Sequence, residues 1–228
     1  MSYARPDAGH FEATLTKAIG QRLPRQPAKG NFGALPYQDV PALIERLKPK
    51  TGIAALALRL LVLCASRSGE IRGATWDEVD FDRAVWTIPA ERMKMRKPHR
   101  VPLSPQAIAV LEQAAAIRRA GSEHIFPNGK GVVLSDMALT KTLRDMGMDC
   151  TAHGFRSSFR DWAAEQTSAP GEVAEAALAH AVPNAVEAAY KRTDFFERRR
   201  ELMDAWAAFL AGQSGDNVTE LAQARGAA

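Results

Sequence analysis

The sequence has few cysteines and no long apolar segment. Its two cysteines, Cys64 and Cys150, lie far apart and without the spacing of metal ligands. The longest apolar run, residues 53–65, is interrupted by Arg59 and is too short to span a bilayer. The N-terminus also lacks the apolar region of a signal peptide. We therefore expect a soluble, cytoplasmic protein with reduced thiols and no membrane association.

Repeats, heptad arrays and nucleotide-binding loops are absent as well. The segment 128–131, Asn-Gly-Lys-Gly, lacks the spacing of a Walker sequence, so no nucleotide site is predicted. What the chain does contain is 46% hydrophobic residues, enough for a proper core, and a formal net charge of +4. That mild positive excess favours a polyanionic partner without establishing one.

The periodicity of apolar residues predicts a mainly helical α+β fold. Residues 53–64 are apolar nearly all round and are expected to form the central buried helix. Strand-like runs near 84–89, 100–103 and 124–126 predict a small three-stranded antiparallel sheet. A final amphipathic helix carrying Leu202 and Trp206 is expected to pack on its own core.

Composition divides the chain into three parts. Residues 1–35 are polar, modestly basic and interrupted by proline and glycine, which is typical of an arm or linker. Residues 36–211 carry the periodic apolar pattern of a folded domain. Residues 212–228 are small and polar, and we expect them to be a disordered tail.

A basic turn is predicted between the first two strand-like runs. Lys94 lies near its tip, and Arg96, Lys97 and Arg100 follow. This excess of cations suits contact with phosphates, although a solvated turn would look the same.

A second cationic group lies at the start of a helix in segment 151–166. Phe155, Phe159 and Trp162 mark its inward face, and His153, Arg156 and Arg160 lie on another face. Backbone N–H groups also point outwards from a helix N-terminus, so the set predicts an oxyanion or phosphate site. A ladder of solvated arginines is the alternative.

Four further polar residues lie near predicted helix ends or on a short helical run. Arg67 follows the central helix, with Glu70 three residues on, a spacing that also suits a surface salt bridge. His180 precedes a break at Pro183-Asn184, and Tyr190 lies on the short helical run that follows. Taken alone, Tyr190 is more typical of a half-buried packing residue.

Together, these residues resemble the catalytic domain of tyrosine recombinases, most closely phage and genomic-island integrases of the P4 type. The resemblance runs from about Leu35 to Leu210. It rests on the order of the residues Arg67, Glu70, Lys94, His153, Arg156, His180 and Tyr190. The sequence departs from the family pattern at Ala65-Ser66, where Thr-Gly is usual, and at Ala179, where glycine is commoner.

The resemblance implies covalent chemistry on DNA. Tyr190 would attack a phosphodiester, form a 3′-phosphotyrosine and release a 5′-hydroxyl. Arg67 and Arg156 would clamp the non-bridging oxygens, which suits their planar, bidentate geometry. Because the phosphotyrosine conserves the bond energy, no ATP, metal ion or other cofactor is expected.

The remaining residues receive supporting roles by the same resemblance. Lys94 would be the general acid for the leaving 5′-oxygen. His153 would assist proton transfer from Tyr190 or brace the phosphate, with Glu70 orienting it. His180 would donate a further hydrogen bond to the phosphate.

The expected function is site-specific recombination, namely integration or excision at double-stranded DNA attachment sites. The chain would be a monomer when free and a homotetramer on DNA. Family members normally carry a core-DNA-binding domain before the catalytic one, so this chain is expected to be a catalytic-domain fragment. A non-catalytic DNA-binding remnant or regulator, and less favourably a type IB topoisomerase, remain open.

Overall fold

Helices dominate the described part of the chain, which comprises residues 33–180 and 193–213 of a computed structural model. The prediction of a mainly helical α+β fold with a small three-stranded antiparallel sheet is confirmed. In chain order, the helices of the described residues are α1 (Val40–Leu47), α2 (Ile53–Cys64), α3 (Ser68–Arg72), α4 (Pro105–Ala116), α5 (Met137–Asp145), α6 (Gly154–Gln166), α7 (Gly171–Ala177) and α8 (Phe196–Leu210).

The sheet consists of β1 (Val79–Asp80), β2 (Val85–Ile88) and β3 (His99–Pro102) in that spatial order. Both neighbouring pairs are antiparallel, and Trp86 of β2 lies between Val79 and Val101. The basic turn lies in the connection between β2 and β3.

The prediction of a strand near 124–126 in this sheet is wrong. β1 occupies the edge position beside β2, and a tight turn over residues 81–84 connects the two strands. Residues 124–126 instead run beside residues 74–76. Their backbone hydrogen bonds are 2.9 Å from Ile125 N–H to the Ala74 carbonyl and 3.1 Å from Trp76 N–H to the Glu123 carbonyl. A local hairpin closes a shorter loop than a segment that arrives only after α4, so it pairs at a lower entropic cost.

Helix α2 is the centre of the core, as the sequence predicted. Ten of its twelve residues are buried, and α4, α5 and α8 pack around it. Its one charged residue, Arg59, is 8% exposed and donates a hydrogen bond to the Gln113 side chain at 2.9 Å. Among the helices of residues 33–180 and 193–213, none has the length and apolar composition needed to cross a membrane.

Helix α8 packs on the core of its own chain, which confirms the predicted self-packing. Leu202 and Trp206 are buried, and the Trp206 indole donates a hydrogen bond to the Val62 carbonyl of α2 at 2.9 Å. The rings of Trp206 and Trp162 lie 5.0 Å apart between centroids, within a cluster that also includes Phe159. This cluster joins α8 to α6, the helix that carries Arg156.

Two helices end at alanines in the left-handed region. Ala65 follows α2 with φ 47°, and Ala179 follows α7 with φ 49°. At the second turn, the backbone N–H groups of His180 and Ala179 donate to the carbonyls of Glu175 and Ala176 at 3.0 and 3.1 Å. This is the Schellman pattern, whose left-handed residue is normally glycine because a Cβ is strained there. The departure from the family's glycine at Ala179 therefore falls at a position where glycine would be favoured.

We predict that Ala179→Gly stabilises the protein. Left-handed backbone costs an L-residue about 1–2 kcal/mol, and the extra freedom of glycine in the unfolded chain costs about 0.4–1 kcal/mol. The free energy of unfolding in urea should therefore rise by about 0.5–1 kcal/mol. Ala179 is the better test site because Ala65 is fully buried and would also lose a packed methyl group.

Ala109 is the matched control, since it is an exposed alanine inside α4. Ala109→Gly should lower the free energy of unfolding by about 1 kcal/mol, the ordinary cost of glycine in a helix. Destabilisation by both substitutions would contradict the strain at Ala179.

Candidate active site

Arg67 is fixed at the start of α3 by Glu70. The Arg67 backbone N–H donates to Glu70 Oε2 at 2.8 Å, and Arg67 Nη1 donates to Oε1 at 2.7 Å. Glu70 is 6% exposed, so this pair is not the surface salt bridge that its spacing also allowed. Both carboxylate oxygens of Glu70 accept hydrogen bonds from Arg67. The expectation that Glu70 orients His153 stays a prediction.

Arg156 is a buried cation that joins three helices. Its side chain, on α6, donates from Nη1 to the Ala65 carbonyl at 2.7 Å and from Nη2 to the Leu178 carbonyl at 2.5 Å. Desolvation by burial and the charge of Arg67 lower the pKa of Arg156 to about 10, so it stays charged at neutral pH. Arg67 Nη2 also donates to the Leu178 and Ala179 carbonyls, at 3.4 and 3.1 Å. The two arginines therefore share the carbonyl of Leu178.

Gly154 allows α6 to start where it does. A Cβ at this position would lie 2.4 Å from the Gly33 carbonyl oxygen and 2.8 Å from Ala34 Cα. Both are backbone atoms, which cannot move aside as the end of a flexible side chain can. The glycine between His153 and Arg156 thus lets residues 33–34 pass against the helix start.

His180 has a defined tautomer. Its Nε2 lies 2.9 Å from Arg156 Nη2, and its Nδ1 lies 2.5 Å from Glu175 Oε2. A guanidinium can only donate hydrogen bonds, and an ionised carboxylate can only accept them. Nε2 is therefore the acceptor and Nδ1 carries the proton.

Glu175 has a separate partner for each oxygen. Oε2 accepts from His180, and Oε1 pairs with Arg160 Nε at 2.7 Å. Burial raises the pKa of Glu175, but the hydrogen bonds from His180 and Arg160 and the charge of Arg160 outweigh it, and the net shift is downward. Arg160, predicted to contact DNA, is thus joined to the His180 site through this carboxylate.

A polar cleft of about 630 Å³ opens beside Arg67 and reaches the basic turn. Lys94, Arg96 and His153 are among its lining residues. Partial burial and the charges of Arg156 and Arg67 lower the pKa of His153, which favours its neutral form at neutral pH. The cleft's lining carries more cations than carboxylates, so it suits an anionic ligand.

The other predicted DNA contacts lie outside this lining. Lys97 is exposed on the same turn as Lys94. Arg100 pairs with Asp194 at 2.8 Å and lies 4.3 Å from the centroid of the Phe196 ring. Tyr190, the predicted nucleophile, falls in residues 181–192, outside the described residues.

Three residues of the site were not predicted. Arg92 lines the cleft and holds the basic turn down by hydrogen bonds from its guanidinium to Glu78 and to the Glu70 carbonyl. Glu175 escaped notice because its link to His180 depends on the turn that ends α7. The sequence would have predicted this contact only if the last residue of α7 had been predicted exactly.

His99 is a third residue that the sequence did not mark. Burial and the charge of Arg199 lower its pKa to about 4, so the ring stays neutral over most of the pH range. Arg199, on α8, is 1% exposed and donates to the Arg100 carbonyl at 2.7 Å. This contact fixes α8 against β3 beside the site.

Within the described ranges, no cluster of three or more His, Cys, Asp or Glu side chains is arranged to hold a metal ion.

Comparison with known families agrees with the geometry. A family model described as "Phage integrase family" matches residues 34–197. The prophage integrase IntA of Escherichia coli K12 is 34% identical over 99% of this chain and 55% of its own length. The integrase of Enterobacteria phage P4 is 35% identical over 79% of this chain and 46% of its own length. The chain thus spans about half the length of these relatives.

Solved structures share the fold at low sequence identity. The match to the structure of XerA recombinase covers 94% of this chain and 72% of the XerA chain. The TM-score is 0.56 and the sequence identity is 14%. The match to a lambda integrase dimer bound to a COC′ core site covers 82% of this chain and 71% of the lambda integrase chain. The TM-score is 0.52 and the sequence identity is 18%. The resemblance to tyrosine recombinases drawn from the sequence is confirmed, and the chain belongs to the phage integrase family.

Proposed function

We propose that this chain carries out site-specific DNA recombination through a 3′-phosphotyrosine formed on Tyr190. Residues 36–211 would be the catalytic domain, preceded by an arm and followed by a tail. The observation that carries the proposal is the pairing of Arg67 and Arg156 on the Leu178 carbonyl, beside a cleft lined by Lys94 and His153. Two fixed guanidinium groups next to a cationic cleft suit one phosphodiester group.

The number of N–H donors on Arg156 supports phosphate binding. A guanidinium has five N–H donors. Arg156 directs three of them to Ala65, Leu178 and His180, which leaves two for a ligand. Its buried Nε finds no acceptor among the described residues. The bonds to Ala65 and Leu178 would keep the group in position when a phosphate binds.

Preorganisation is the physical basis of the proposed rate enhancement. A tyrosine hydroxyl is a weak nucleophile at neutral pH, so the charge that develops on the phosphate must be stabilised by groups already in place. Glu70 and the backbone carbonyls hold Arg67 and Arg156 before any ligand arrives. Lys94 lies exposed on a turn, which suits a general acid that acts after DNA docks.

The proposed partner is a double-stranded attachment site, bound by a protein that is monomeric when free and assembles as a tetramer on DNA. A lambda integrase tetramer bound to a Holliday junction shares the fold, with a TM-score of 0.54 and 15% identity. The self-packed α8 supports a folded free monomer, since Leu202 and Trp206 are covered by their own chain.

The first prediction tests the nucleophile. On a suicide substrate, which is nicked so that cleavage releases a short strand, the wild-type chain should form a covalent protein–DNA adduct. Tyr190→Phe should abolish the adduct while changing DNA affinity by no more than about tenfold, because a hydroxyl hydrogen bond contributes only about 0.5–1.5 kcal/mol. The adduct is measured by denaturing gel electrophoresis. An adduct formed by Tyr190→Phe would assign the nucleophile elsewhere, and no adduct from wild type would favour a non-catalytic DNA-binding remnant.

The second prediction tests Lys94 as the general acid. Lys94→Ala should slow cleavage by about 10²–10⁴-fold because the 5′-oxygen must then leave without a proton. A sulfur in the 5′-bridging position needs no proton to leave, so this substrate should restore most of the Lys94→Ala rate. Arg156→Ala should not be rescued, since its charge acts on the non-bridging oxygens.

Arg96 and Lys97 are the matched controls for Lys94, since both are exposed cations on the same turn. Single-turnover rates on normal and sulfur substrates should show no specific rescue for Arg96→Ala or Lys97→Ala. Rescue of Lys97→Ala in place of Lys94→Ala would move the general acid to Lys97.

The third prediction concerns the salt dependence of binding. Contacts to phosphates release about 0.9 counterions each, so log affinity for duplex DNA should fall linearly with log salt concentration. Lys97→Ala should reduce the slope by about 1. Lys141→Ala, which removes an exposed lysine paired with Asp145 on α5, should leave the slope unchanged. Fluorescence anisotropy measures both slopes, and a salt-insensitive affinity would contradict phosphate binding.

A further inference from the structure

The hydrogen bonds of His180 conflict with the role that the proposed function gives it. That role requires Nε2 to donate a hydrogen bond to the phosphate. In the DNA-free protein, Nε2 instead accepts from Arg156 at 2.9 Å, and the proton is on Nδ1, facing Glu175. A neutral ring cannot carry protons on both nitrogens. His180 can therefore donate from Nε2 only if the neutral ring gains a proton or changes tautomer.

A tautomer change is disfavoured by Glu175. Moving the proton to Nε2 would bring the Nδ1 lone pair against a carboxylate oxygen at 2.5 Å, where two acceptors repel. The carboxylate cannot readily turn away, because Arg160 holds its other oxygen at 2.7 Å. The pKa of Glu175 is lowered, so the group is ionised at neutral pH. Gaining a proton is the remaining route.

We propose that Glu175 is a positioning residue that fixes His180 with its proton on Nδ1 and stabilises the imidazolium formed when DNA binds. This inference rests on the proposed function. On docking, a phosphate oxygen replaces His180 Nε2 as the acceptor for Arg156. Nε2 then takes a proton from solvent, keeps it, and donates a hydrogen bond to the same phosphate. One proton enters the complex, and no bond to carbon, phosphorus or sulfur changes.

The charges around His180 determine the direction of this proton movement. Arg156 and Arg160 face the site from α6, His153 lies at the N-terminus of that helix, and Arg67 approaches from α3. Glu175 is the carboxylate in contact with the ring. While Arg156 donates a hydrogen bond to Nε2, that nitrogen acts as an acceptor and has no room for a proton. A phosphate brings negative charge to the Nε2 side, after which Glu175 and the phosphate together favour the imidazolium.

The turn that ends α7 is built to make this contact. His180 and Glu175 are the two residues joined by its outer backbone hydrogen bond, from His180 N–H to the Glu175 carbonyl at 3.0 Å. Side chains at these two positions of a Schellman turn usually meet through a hydrophobic contact. Here the contact is a charged hydrogen bond, so the backbone that places His180 also places its carboxylate.

The first test reads the tautomer directly in the free chain. Long-range ¹H–¹⁵N correlation spectra distinguish a proton on Nδ1 from one on Nε2, and the chain has only five histidines to assign. His180→Gln identifies the signals. We expect the wild-type ring to be protonated on Nδ1, the less common form of a neutral histidine in water. Glu175→Leu should shift the ring towards Nε2–H, and Glu175→Gln, whose amide oxygen still accepts, should retain Nδ1–H.

The matched control is Glu112→Gln, which removes one charge from an exposed helical glutamate on α4. It should leave the His180 signals unchanged. A wild-type ring protonated on Nε2, or a tautomer unaffected by Glu175→Leu, would overturn the assignment of Glu175. Because this readout needs neither DNA nor cleavage, it stands apart from the proposed function.

The second test measures proton uptake in the Tyr190→Phe background, which prevents cleavage. Duplex affinity should rise as pH falls, by up to about tenfold per pH unit if one proton is taken up. In Glu175→Gln this rise should move to lower pH by about one unit, since the lost negative charge disfavours the imidazolium. His180→Gln should remove the rise, whereas His153→Gln should keep it.

The outcomes separate the two hypotheses. An affinity that is independent of pH, or a rise that survives His180→Gln, would overturn the proton uptake. The expected tautomer and pH dependence without any wild-type adduct would support Glu175 as the positioning residue and contradict the proposed cleavage function.

Discussion

The fold around the site depends on the burial of the Arg156 guanidinium. A buried cation must be hydrogen-bonded, because transferring it from water without partners costs several kcal/mol or more. Arg156 finds its partners at the ends of two helices, the Ala65 carbonyl after α2 and the Leu178 carbonyl after α7. The requirement to satisfy one side chain thus fixes the relative positions of α2, α6 and α7.

The same helix ends also place the neighbouring functional groups. The left-handed turn at Ala65 leads directly to Arg67, and the one at Ala179 leads directly to His180. In each case the chain reverses so that carbonyls face the arginines, and the next polar side chain enters the site. Alanine is strained at both positions. The hydrogen bonds to Arg67 and Arg156 offset that strain in the native state.

The polar side chains of the site differ in how firmly they are held. Arg67, Arg156 and His180 are bound to backbone carbonyls or carboxylates from other elements. Lys94 and Lys97 lie exposed on a turn that is held at its base by Arg92. Rigid cations suit the stabilisation of charge on a phosphate, whereas an exposed lysine can adjust to a docked duplex.

The sequence by itself determined the fold class, the central helix and the identity of the phosphate-binding candidates. These follow from local information: apolar periodicity marks residues 53–64, and residue type and order mark Arg67, His153 and Arg156. Tertiary structure alone decided that the third strand is Val79–Asp80 and that Glu70 binds Arg67. It also decided that Arg100 pairs with Asp194 and that the Glu175 carboxylate accepts a hydrogen bond from Nδ1 of His180. Strand order and hydrogen-bond partners depend on which distant groups compete for the same neighbour. Local sequence patterns carry no information about that competition, because the competing groups are distant in the sequence.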